Sequence, residues 1–103
     1  MTERRAASTL EFVRVQVSTD ATDLSGDDVF MAFVAEFAQP QDADWLAGDW
    51  EAGGPPFFAT MLVGPGADQL GGKELAAGDY VVWVKVVDQP EIPVRPAFAL
   101  ELY

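Results

Sequence analysis

Leu75-Ala76-Ala77-Gly78-Asp79-Tyr80-Val81-Val82-Trp83-Val84-Lys85-Val86-Val87 decides the architecture. Its second half sets Tyr80, Val82, Val84 and Val86 against Val81, Trp83, Lys85 and Val87. That is the two-residue period of a strand, filled with residues that suit a pleated surface. Its first half has the form Leu-x-x-Gly-x-Tyr, a glycine turn directly before a strand that opens on tyrosine. Two readings are open. In one, the Tyr80 hydroxyl turns back and bonds the preceding corner; in the other, a plain Gly-Asp turn happens to precede a tyrosine. The valine-rich strand that follows, and a further strand after it, favour the corner.

Working outward, Ala97–Leu102 alternates again, with Phe98, Leu100 and Leu102 predicted inward and Ala99 and Glu101 outward. Between these strands, Asp88–Pro96 carries three prolines, each lacking a ladder donor, and reads as an extended loop or a protected edge. Upstream, Phe57–Val63 is a strand that begins after Pro55-Pro56 and stops at Gly64-Pro65-Gly66, with a loop over Ala67–Gly72. Leu10–Val17 is the first strand, Val13, Val15 and Val17 pointing one way and Arg14 and Gln16 the other. Ser18–Asp28 is a polar turn region. Val29–Phe37 is apolar at nearly every position. As a strand it faces Val29, Met31, Phe33, Ala35 and Phe37 together; as a helix it is capped by Asp27 or Asp28 with Phe30, Phe33, Val34 and Phe37 on one side. Its valines and aromatics, with Gln39-Pro40 behind them, favour the strand. Asp42–Gly54, with two of the tryptophans, reads as a short irregular strand or a 3₁₀ turn.

Five or six strands between Gly, Pro and Asp turns, with no long helix, predict an all-β fold, a small antiparallel immunoglobulin-like β-sandwich. At 103 residues, half of them hydrophobic, the chain has room for one domain. It is expected over residues 10–103, behind a flexible N-terminal arm of residues 1–9.

Composition excludes much chemistry. There is no Cys, hence no disulfide framework and no thiolate, and no His, the commonest general base. Seventeen acidic against six basic residues leave a charge of −11, which opposes nucleic acid and anionic membrane surfaces as partners. No stretch of the N-terminus has the apolar run of a signal peptide, and none is long enough to span a membrane. Asp20, Asp23, Asp27 and Asp28, and again Asp42, Asp44 and Asp49, are clustered as calcium loops are. In a chain this acidic, solvated loop acids are the ordinary reading, and the first group lacks EF-hand spacing. No nucleophile motif or phosphate loop is present, so no catalytic residue, metal ligand or cofactor is expected.

The candidate protein-interface residues are Arg4, Arg5, Phe57, Trp83, Ile92, Pro93, Val94 and Arg95. Trp83 is out of phase with Tyr80, Val82 and Val84. It is therefore either a core anchor or, with Phe57 or Phe58, part of an exposed apolar patch of the kind partners cover. Trp45 and Trp50 are open to the same two readings. Arg4 and Arg5 lie in the arm, as a plain disordered terminus or as a tether that orders against an acidic surface, a neighbouring copy being one. The proline-rich loop that holds Ile92 to Arg95 has little entropy to lose on docking.

Leu62-Val63-Gly64-Pro65, the run Leu75 to Val86, Pro90-Glu91-Ile92-Pro93-Val94-Arg95 and the Asp44-Trp45 to Trp50 stretch resemble small acidic virion proteins of tailed bacteriophages and prophages. The resemblance implies an immunoglobulin-like module that decorates the capsid or joins the neck, connector or tail. It implies other virion proteins as partners, likewise oligomeric or symmetry-related copies, and a chain made in the host cytoplasm and destined for the virion. It carries over no catalytic residue. Two other function classes compete. One is an acidic DNA mimic that inhibits a nucleic-acid enzyme, though the acids here gather in loops rather than along a face. The other is a carbohydrate- or calcium-binding β-module with Trp45 and Trp50 stacking on sugar.

Overall fold

In the computed structural model, which describes residues 2–17, 28–51, 57–87 and 94–103, every regular element other than two 3₁₀ turns is a strand. They are β1 (Thr2–Arg5), β2 (Glu11–Val17), β3 (Asp28–Ala35), β4 (Leu46–Ala47), β5 (Asp49–Trp50), β6 (Phe57–Val63), β7 (Gly78–Val87) and β8 (Val94–Leu102). The alternation of the sequence decides which face of each is buried. Val13 and Val15 on β2, Ala59, Met61 and Val63 on β6, and Val82, Val84 and Val86 on β7 are all core residues. They meet Val29, Met31 and Phe33 of β3 and Leu100 and Leu102 of β8 in one apolar cluster between two sheets. Burying each such side chain stabilises the fold by about 1.5–3 kcal/mol relative to exposure. No charged or polar residue is buried among the described ones.

The larger sheet has the order β1-β8-β7-β3-β4 and the smaller one β2-β6-β5. All pairs are antiparallel except β1 with β8, which run parallel from Thr2 opposite Ala99 to Arg5 opposite Leu102. Thr2–Arg5, part of the flexible arm expected over residues 1–9, is thus paired into the larger sheet. The acidic groups it meets are the chain's own: Arg4 pairs with Glu101 at 2.8 Å and Arg5 with Glu11 at 3.1 Å, while Glu3 within the strand pairs with Arg5 at 3.2 Å.

The corner ahead of β7 forms as the Leu-x-x-Gly-x-Tyr pattern requires. Tyr80 Oη donates to the Ala76 carbonyl at 2.8 Å, Leu75 is buried beneath, and Gly78 takes φ +156°, a conformation that side chains disfavour. Gly64 ends β6 at φ +140°, and a Cβ there would stand 2.4 Å from the Thr9 carbonyl oxygen. The crossing of residues 9 and 10 over the end of β6 therefore depends on that glycine.

Three expectations change in detail. The strand over Val29–Phe37 stops at Ala35, and Phe37 takes φ +69° in the following turn with 95% of its surface exposed. Of Asp42–Gly54, residues 42–51 split into a 3₁₀ turn at Asp42–Asp44, closed by Gln41 and Asp44 capping each other, and the two-residue strands β4 and β5, while residues 52–54 lie outside the described residues. The last strand starts at Val94, and takes in Pro96 through a bulge: Val82 faces Phe98 but Trp83 faces Pro96, which leaves Ala97 as the extra residue.

Candidate protein interface

The predicted interface residues do not share one face. Phe57 is in core phase on β6, 9% exposed, with its ring edge-on to Trp50 at a centroid distance of 6.2 Å. Trp83 lies on the other sheet, on the face that β7 turns away from the core, so of the two readings open for it the patch shared with Phe57 does not form. The period-two count put Trp83 out of phase with the core; it carried no information on which sheet Phe57 would join. Ile92 and Pro93, and Asp20, Asp23 and Asp27 of the first acidic cluster, lie outside the described residues. Among the described residues no three carboxylates come together as a metal site.

Around Trp83, the outer face of the larger sheet is aromatic. Lys85 Nζ lies 5.1 Å from the ring centre of Phe30 and 4.7 Å from that of Trp45, each a cation–π contact. Trp83 itself is half-buried, yet its indole Nε1 is fully buried with no acceptor among the described residues. Trp45 precedes β4 of the larger sheet, whereas Trp50 is on β5 of the smaller one. The two therefore do not make a single stacking platform.

Arg5 acts across the seam between the sheets, pairing with Glu11 of β2, whereas Arg4 stays on its own sheet against Glu101 of β8. Arg4 also stacks over Tyr103, 5.1 Å from the ring centre. Arg5 Nη1 donates to the Phe12 carbonyl at 3.1 Å, which closes that end of the seam across the two sheets.

Beyond β1 the seam opens. A groove of about 450 Å³ lies there, its floor made by Val15, Val17, Val84 and Phe98 and its rim carrying Arg14, Arg95 and Glu3. Arg14 is committed: its guanidinium grips Glu51 through two hydrogen bonds, 2.6 and 2.8 Å, and stacks 4.1 Å from the ring centre of Phe58. Arg95 is not. Its one hydrogen bond among the described residues goes to the neighbouring Val94 carbonyl at 3.1 Å. The bulge explains its position. In the register that holds from Gly78 to Val82, Arg95 would face Lys85; the shift sets it opposite Val84, on the core side, at the mouth of the groove. Sequence reasoning named Arg95 for its proline-rich loop; a bulge that re-aims it leaves no mark in hydrophobic alternation.

No protein-family model matches the chain, and neither a curated protein nor a solved structure does.

Proposed function

We propose that this chain is a non-enzymatic structural protein of a tailed-phage virion, an immunoglobulin-like sandwich that docks in multiple symmetric copies on capsid, neck or tail. The immunoglobulin-like assignment is supported by the strand order, with β1 parallel to the last strand, and by the tyrosine of the penultimate strand bonded back to its own corner. The docking role is carried by one observation, the open groove between β2 and β8. The virion setting rests on the sequence resemblance. A body without His or Cys supports a role outside catalysis, and a charge of −11 keeps free copies apart before assembly. Copies repeated on a symmetric shell need only modest individual affinity, because multivalency multiplies it.

The test is mass spectrometry of purified particles from the cells that make the chain, with cryo-electron microscopy of the same sample. Stoichiometric, symmetry-related copies are the expected result, and their position separates shell from neck from tail. Abundance in the cells with absence from particles would overturn the virion role.

A further inference from the structure

The groove between β2 and β8 has the makings of a vacant strand position. In β6, the Phe58 carbonyl bonds Glu51 and the Leu62 carbonyl bonds Lys73, so the even residues of β6 point away from β2. Its odd residues then bond the odd residues of β2, given the register Val13 opposite Met61 and Val15 opposite Ala59. The backbone groups of Phe12, Arg14 and Gln16 consequently face outward. Phe12 is capped by Arg5; Arg14 and Gln16 border the groove. Across from them, β1 covers β8 only from Ala99 to Leu102, and the stretch from Val94 to Phe98 has β7 on one side and no strand on the other among the described residues.

We propose that this groove binds an extended, carboxylate-bearing peptide segment of a partner protein, which adds to the outer edge of β2 as a further strand and sets its carboxylate on Arg95. Main-chain hydrogen bonds to an exposed edge supply affinity, and pockets under alternate side chains supply selection. Val15, Val17 and Phe98 make an apolar floor for one side chain of such a segment. Arg95, free of any carboxylate among the described residues, gives the segment its charge preference. A segment of about four residues fills the open length, at about 3.3 Å per residue. A second copy of this chain is disfavoured as occupant because it brings −11 of charge against −11, whereas a partner segment needs one carboxylate. The inference rests on the docking reading only in taking a protein partner, and holds whether or not that partner belongs to a particle.

The probe is a synthetic eight-residue peptide, acetylated and amidated, alternating Val and Thr around one central Glu, beside a twin with Gln in place of that Glu. Backbone amide shifts of the whole chain are followed as each is added to about 1 mM, a concentration that detects millimolar affinities. The Glu peptide is expected to move the amides of Arg14, Gln16 and Ala97, and the Gln peptide to bind about threefold to fivefold more weakly. In Arg95→Gln the two peptides bind alike. Gln16→Pro removes an edge donor that β6 does not use, so the fold survives and both peptides weaken at least tenfold. No shifts at 1 mM, equal binding of the two peptides to the unaltered chain, or binding indifferent to Gln16→Pro would each overturn the proposal. So would a dimer at neutral pH that Gln16→Pro dissolves, since the occupant would then be a second copy. Loss of the particle role with peptide binding intact would strike only the virion reading.

Discussion

Tyr80→Phe isolates the contact on which the corner before β7 depends. The substitution deletes one oxygen and leaves the ring, which packs against the core, in place. What is lost is the hydrogen bond from Tyr80 Oη to the Ala76 carbonyl, at 2.8 Å close to the optimum for a hydroxyl donor. A net contribution of about 0.5–1.5 kcal/mol is usual for such a bond. The value here falls near 1 kcal/mol, because Ala76 is exposed and water can return to its carbonyl. For a domain of this size, about 1 kcal/mol lowers the Tm by about 4–8 °C.

Urea unfolding followed by tryptophan fluorescence reads the change, with Trp83 three residues along the same strand as reporter. Tyr103→Phe is the control: that tyrosine is exposed, and its ring, the part Arg4 stacks on, is retained. The expected outcome is a midpoint shift for Tyr80→Phe with the slope m unchanged, and no shift for Tyr103→Phe. If the two variants agree to within about 0.3 kcal/mol, the hydroxyl does not hold the corner and the argument from the Leu-x-x-Gly-x-Tyr pattern fails.

Gly64→Ala forces a Cβ to 2.4 Å from the Thr9 carbonyl oxygen and 2.8 Å from Leu10 Cα at a φ that side chains disfavour, so a loss above about 2 kcal/mol is expected in the same urea assay. Trp83→Phe removes a buried indole N–H that has no acceptor among the described residues, offsetting the lost apolar area; stability should stay within about 1 kcal/mol of the original, and a larger loss would mean that Nε1 is satisfied in solution. A double-mutant cycle on Arg14 and Glu51 should give a coupling of about 0.5–1 kcal/mol that shrinks in 1 M salt, since the pair is bidentate but about half exposed.

Sequence legibility followed the length of each element. β2, β6 and β7 alternate over seven residues or more and were readable as strands, and the shared face of the valines of β2 and β7 was readable because a one-residue slip would expose the whole set. The corner was readable because a glycine and a tyrosine at fixed spacing each have a local physical reason. β4 and β5 are two residues long, too short for any period to appear, and they form because β3 and β6 lay down edges beside them. Thr-Glu-Arg-Arg shows no strand signal at all; it becomes β1 through pairing with residues nearly a hundred positions away and through ion pairs to Glu101 and Glu11. Phe37 was grouped with Val29, Met31 and Phe33 by extending β3 two residues too far, and the left-handed turn that ejects it has no signature in an aromatic residue. The candidate interface was least legible, since Phe57 and Trp83 both carry the composition of a contact patch and only the sheet assignment separates them.

The sheet edges bring these features to one point. Natural sheets protect their edges by keeping edge strands short. Here β4 and β5 have two residues each and β1 has four, whereas β2 is a seven-residue edge, sealed by Arg5 at Phe12 and, among the described residues, open from Arg14 onward. At neutral pH the −11 charge keeps such edges of separate copies apart. That protection lapses near the isoelectric point of about 4.1, where repulsion vanishes while the backbone donors and acceptors of the edge remain. Light scattering during a titration from pH 7 to 4 should therefore show self-association setting in as the charge disappears. Gln16→Pro, which deletes an edge donor without touching charge, should move the onset to lower pH or to higher protein concentration. Association unchanged by Gln16→Pro would mean that the sticky surface lies elsewhere, with the aromatic face around Trp83, Phe30 and Trp45 next in line.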